Sequence, residues 1–299
     1  MAFATIYLVW GSTFLAIRVG VREVPPFLFA AMRFSIAGLA LFGWTMVRGE
    51  GWPSRQQWMI ALLPSLLIFV FDYGLLFWAE QRVPSGIAAV IMGTIPVFMA
   101  LSEIFLLKTQ KATIRLSLAL LIGCTGVAVL VSQSLNLGGA AIDRRGAAAL
   151  AIAALSWSAG SVLMRKSPLS TSKIMASGMQ MLVGGILLSL AAAVLGEFNG
   201  FHPRAISPGT WFSLLYLIIA GSVVAFTTYV WLIHHESPTK VGTYAYVNPV
   251  VAVMVGHFLG GESLDLRTIL GSLFVLTSVL LITTTQVEKA KAKRARVAN

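Results

Sequence analysis

The amino-acid sequence predicts an all-α polytopic membrane protein, with ten transmembrane helices set as two inverted-topology repeats of five around a central cavity. Three observations predict it. The 299 residues are 57% hydrophobic and only 11% charged, against about 25% charged in soluble domains, so the chain has too little polar surface to cover itself. Its apolar residues fall into runs of roughly the 20 residues needed to cross a bilayer. The later half also restates landmarks of the earlier half at a near-constant offset.

The first run, from Ala2 to about Val21, has neither the basic leader nor the small-residue cleavage site of a signal peptide, and reads as a retained span. Pro25-Pro26 breaks it from 27–47, and the stretch Gly49 to Pro53 breaks that from 58–80. Val83-Pro84 introduces 85–107, and 113–132 follows. After Gly138-Gly139 come 146–165 and 173–195; Asn199-Gly200 precedes 210–233, Ser237-Pro238 precedes 240–260, and 266–285 is last. The expected units are residues 1–138, residues 139–287 and a basic tail, 288–299.

The net charge of +11 comes from basic residues between the apolar runs and in the tail, so it reads as a topology signal and not as a nucleic-acid surface. With both termini cytoplasmic, fourteen Lys and Arg fall inside and six outside, the asymmetry of the positive-inside rule. The lone Cys124 excludes an internal disulfide framework.

An offset of 147 lays Trp10 on Trp157, Arg18 on Arg165, Met32 on Met179 and Gly38 on Gly185; an offset of 153 lays Trp58 on Trp211, Trp78 on Trp231 and Pro96 on Pro249. An odd number of helices per unit inverts the second copy. Such repeats relate two halves by an in-plane axis and hold the site between them at the midplane.

Candidate functional residues lie within spans. Pro96 and Pro249 are mid-run and would each free a carbonyl four residues back, near Met92 and Ala245. Such carbonyls must face protein or water, so both prolines are expected to bend cavity-lining helices and to serve as hinges. Trp10 and Trp157 lie away from the interfacial belts and are expected to wall an amphipathic pocket, with Thr13 and Ser161 adding hydroxyls. Tyr73, Tyr229, Tyr246 and Asn248 complete the expected substrate-binding set. Arg33 and Asp72 lie at similar depth, and both charges vanish at the equivalent Gln180 and Ala225, which predicts a structural ion pair. Glu103 is expected to pair with nearby basic residues.

Val9-Trp10-Gly11-Ser12-Thr13-Phe14, Ala31-Met32-Arg33-Phe34, Pro84-Ser85-Gly86 with Pro96, Val241-Gly242, Asn248-Pro249 and Gly260-Gly261-Glu262 resemble the EamA-type drug/metabolite transporter family over nearly the whole chain. The resemblance implies helices 1, 3, 4, 6, 8 and 9 around a central cavity, with 5 and 10 peripheral. It points nearest to bacterial exporters of amino acids, aromatic ones included. One departure is Thr109, which stands where the second repeat has Glu262; it reads as a lost cap.

The implied protein is a secondary transporter or facilitator of the inner membrane, exporting amino acids or related metabolites by alternating access. Its expected partners are that small-molecule substrate and the lipid bilayer, with a monomer compatible. Neither a cofactor nor a metal is expected. No P-loop motif is present to drive ATP-powered pumping, and no nucleophile–base set suggests an enzyme. A channel, or an uptake carrier for a nucleotide precursor or drug-like cation, is the competing reading.

Overall fold

The protein is described here from a computed structural model that covers residues 1–83, 88, 91–131, 143–166, 172–199, 201–251 and 266–298. These residues form helices and connecting turns, without a strand among them. The Pro84-Ser85-Gly86 and Gly260-Gly261-Glu262 motifs and the Gly138-Gly139 break lie outside the described residues.

Among the described residues six helices are long and apolar enough to cross a membrane. They are α1 (Ala2–Gly20), α2 (Pro26–Val47), α3 (Arg55–Ala79), α6 (Arg144–Lys166), α7 (Lys173–Val194) and α8 (Pro208–His235). Shorter helical pieces are α4 (Ile95–Leu107), α5 (Ile114–Val131) and α9 (Pro238–Gly242), after which a turn at Thr243 leads into a helical stretch over 244–251. Leu15, Leu39, Val194, Phe212 and Leu280 are exposed on the outside of the bundle; large apolar side chains belong there only if the solvent is lipid. The last helix, α10 (Leu266–Ala298), runs on through the segment expected to be a separate tail. That tail is built of Ala, Lys, Arg and Val with one Glu and a final Asn, and has neither Gly nor Pro, so nothing in it stops a helix.

Caps fix where the helices start. Ser54 closes a capping box on α3: its hydroxyl accepts from Gln57 N, and the Gln57 side chain accepts from Ser54 N at 2.7 Å. Ser207, which stands 153 residues later, caps α8 by accepting from Thr210 N. Glu23, beyond α1, accepts from Ser207 N at 2.9 Å and ties that loop to the start of α8. This backbone hydrogen bond holds the Glu23 carboxyl below its ordinary value of 4.5. A lowered folded value means the contact stabilises above the ordinary value and is lost as pH falls through the folded one. We expect Glu23→Ala to narrow the difference in unfolding temperature between pH 7 and pH 3; an unchanged difference would contradict the tie.

Both α3 and α8 widen at mid-span into π-helical turns, over Leu66–Gly74 and Leu217–Val224. In α3 the wide turn follows Pro64, whose missing N–H disrupts the regular ladder. Such turns gather at functional sites because they redirect side chains and loosen backbone carbonyls.

The packing interlocks the halves. Helix α2 lies along α7, α5 along α10, α1 against α8, and α6 against α3 and α4. Helix α1 also meets the 244–251 stretch, where a Cβ on Gly11 would stand 2.8 Å from Val251. A large apolar core joins α1, α2, α3, α6, α7 and α8. A smaller one, of Ala119, Val127, Tyr246, Val250, Val275 and Ile282, holds α5 and α10 to the flank.

Candidate functional site: an aromatic cavity with one carboxylate

Trp10 of α1 and Trp157 of α6 meet inside the bundle, edge to face, with ring centroids 5.4 Å apart. Tyr244 approaches Trp10 at 4.7 Å and Tyr73 approaches Trp157 at 5.7 Å. These four rings line one cavity with Thr13, Asp72, Met92, Ala245, Asn248 and Pro249. The chain thus brings the two tryptophans together at one cavity. The cavity measures about 50 Å³, room for about four waters at ~10–15 Å³ each. Pockets that enclose organic ligands run to roughly 300 Å³ or more. In this conformation the site is too small for an organic solute.

The polar groups differ in what they have left to offer. The Trp10 N–H donates to the Gly221 carbonyl at 3.2 Å, within the wide turn of α8. The Trp157 N–H faces the phenols of Tyr229 and Tyr244 without closing a hydrogen bond. Thr13 donates its hydroxyl to the Trp10 carbonyl at 2.8 Å. Asp72 Oδ1 and Asn248 Oδ1 are buried and have no partner. A cavity walled by rings, with one acid and one amide unspent, suits a small amphipathic solute carrying a donor or a positive charge.

Several expected residues stand elsewhere. Ser161 and Tyr229 are fully buried behind Trp157, hydroxyl to hydroxyl at 2.5 Å; they brace the wall, Tyr229 lying 5.0 Å from Trp157 and 5.1 Å from Trp10. Tyr246 points away from the cavity and donates to the Leu120 carbonyl at 3.1 Å, with Cys124 Sγ at 3.7 Å. Tyr244 takes the inward position because it lies four residues before Asn248 on the same helical stretch, whereas Tyr246, two residues before, falls on the opposite face. We expect Tyr246→Phe to cost about 1 kcal/mol of stability, the worth of one net hydrogen bond, and to leave solute binding unchanged. Impaired binding in a stable Tyr246→Phe protein would place this side chain back at the site.

Pro96 does not kink a continuous helix at mid-span. Pro96 sits in the first turn of α4, after a turn at 93–94 has already broken the chain. That is a position where proline costs nothing, since its N–H would be unpaired anyway. Pro249 does lie within helix, and both it and Ala245, four residues back, face the cavity.

The Arg33–Asp72 pair is not formed. Arg33 is fully buried and turned to α8: its Nε donates to Ser222 Oγ at 2.8 Å, and its guanidinium lies 4.6 Å from the Phe34 ring and 5.0 Å from the Tyr73 ring. Gly221 makes room for it, since a Cβ there would stand 2.8 Å from Arg33 Nη2. Asp72 faces the cavity instead. Equal depth in the bilayer did not mean the same side of the bundle. Glu103 makes no salt bridge among the described residues, although Arg165 lies near enough to act on it through its charge; its Oε2 accepts from Thr239 N at 2.9 Å and from the Thr239 hydroxyl, in the first turn of α9. Among the described residues no three His, Cys, Asp or Glu side chains gather as a metal site.

Comparison with known proteins agrees with this architecture. The profile of the EamA-like transporter family matches residues 1–132 and 144–284. The chain is 36% identical over 284 residues, 94% of its length, to the uncharacterized inner membrane transporter YedA of Escherichia coli (strain K12), covering 89% of that protein. It is 27% identical to protein PecM of Dickeya dadantii (strain 3937), over 92% of this chain and 88% of that one. A solved crystal structure superposes with a TM-score of 0.75, at 21% identity and 96% coverage of both chains; it speaks for the fold.

Proposed function

Because the chain belongs to the EamA-like transporter family, whose relative YedA is named an inner membrane transporter, we propose that it is a ten-helix secondary transporter exporting amino acids or related small metabolites by alternating access. The observation that carries the reading is the cavity itself. Trp10 and Trp157, 147 residues apart, come from matching places in two halves of the chain and meet at one small cavity.

The pairing of helices supports an inverted repeat. Exchanging each helix for the one five later turns the α1–α8 contact into α6–α3, and turns the α2–α7 and α5–α10 contacts into themselves. A two-fold relation between halves generates such a set. The small cavity supports alternating access: a solute larger than a few waters enters only if the halves part on one side, and leaves only if they part on the other.

The test is solute counterflow with the full-length protein in liposomes, using labelled amino acids with and without a pH gradient. Saturable exchange that depends on internal unlabelled solute is the expected result. Leak proportional to concentration, or no exchange across the amino-acid panel, would overturn the amino-acid carrier.

A further inference from the structure

We infer that Asp72 is the cation-binding group of the cavity, held alternately by a proton and by the ammonium of an amine-bearing solute. The inference deepens the transporter reading and rests on it. Asp72 is buried in the wide turn of α3, faces the cavity, and has an oxygen without a partner. A bare carboxylate in such a place costs several kcal/mol, so the charge is neutralised by something that the cavity admits.

The other groups around it do not serve. Among the described residues Arg33, from α2, is the one guanidinium nearby; its Nε donates to Ser222 and its face lies on Phe34 and Tyr73, and although its two Nη nitrogens have no hydrogen-bond partner it makes no salt bridge with Asp72. Among the described residues the remaining titratable neighbours are phenols: Tyr73 on α3, Tyr229 on α8 and Tyr244 after α9. Helix α6 presents the uncharged Trp157 ring. Phenols at neutral pH supply no positive charge. What the rings do supply is the negative face that favours a cation, and Tyr73, Trp157, Tyr244 and Trp10 bring four of them to the acid.

The exchange balances in charge and atoms. In the unloaded site Asp72 is the neutral acid. When an ammonium-bearing solute enters, the O–H bond of Asp72 breaks, the proton leaves to water, and the carboxylate pairs with the ammonium. The reverse exchange on the other face of the membrane releases the solute, so one proton moves opposite to each amine.

Phenethylamine, phenylalanine and 3-phenylpropionate share a ring and differ in charge, which makes them the probes. Purified full-length protein in weakly buffered detergent is titrated with each while binding and bulk pH are recorded. Phenethylamine and phenylalanine are expected to bind and to release protons, close to one per protein, and 3-phenylpropionate is not. Asp72→Asn is expected to abolish proton release and to weaken amine binding at least tenfold, with Asp72→Glu restoring part of both. Amine binding without proton release, equal release from Asp72→Asn, or no amine binding by a protein that still performs counterflow would overturn the assignment and leave the transporter reading standing. Absence of counterflow with every solute would instead remove that reading.

Discussion

Replacing Trp157 with alanine is expected to lower solute counterflow at least tenfold and to destabilise the protein by about 3–5 kcal/mol, the range for removing a buried aromatic ring. Trp157 is 2% exposed and touches the rings of Trp10, Tyr73, Tyr229 and Tyr244. Among the described residues no other ring contacts both Trp10 of α1 and Tyr73 of α3. Its loss leaves Trp10 and Tyr73 free to fall inward and fill the space a solute would use. Trp157→Phe separates the two effects, since it keeps a ring and loses the indole N–H. We expect it to retain most of the stability. Near-normal counterflow in Trp157→Ala would show that this ring is scaffold alone.

The second large effect lies far from any polar chemistry. Helices α2 and α7 touch backbone to backbone: a Cβ on Gly185 would stand 2.8 Å from Ser35 N, one on Gly38 2.7 Å from Leu182 N, and one on Gly178 2.8 Å from Phe42 N. Small residues permit such approach where helices meet in a membrane. The atoms they would strike are main chain and cannot turn aside. Gly185→Leu is therefore expected to exceed the ~1–3 kcal/mol of ordinary overpacking and to remove most of the folded, monodisperse protein in detergent. Gly43→Leu is the control, because nothing lies within 4 Å of a Cβ at Gly43. A well-folded Gly185→Leu protein would show that the two helices can separate freely.

Much of this was readable in the residues. Apolar run length gave the helices their places, because lipid demands about 20 residues per crossing. The tryptophans were legible because an indole at mid-span has no interface to anchor. The facing of side chains was harder to read. Depth is a count of residues, which placed Arg33 and Asp72 at one level. Azimuth depends on regular helical phase, and the wide turns of α3 and α8 and the break at Thr243 disturb it. Asp72, within the wide turn of α3, faces the cavity, while Tyr246 faces out of it because it lies two residues from Asn248 on one helical stretch. Pro64 was the visible warning for α3; α8 has Leu217 at the equivalent place and gave none.

Trp10 secures the α8 backbone through its indole N–H, and its counterpart Trp157 has no such bond. In a carrier made of two like halves, facing inward and facing outward are the same structure with the halves relabelled, so identical halves would dwell equally in each. A single bond of about 1 kcal/mol present on one side only tilts that balance roughly fivefold. In the carrier proposed above, removing this bond with Trp10→Phe would therefore shift the empty protein toward the other facing.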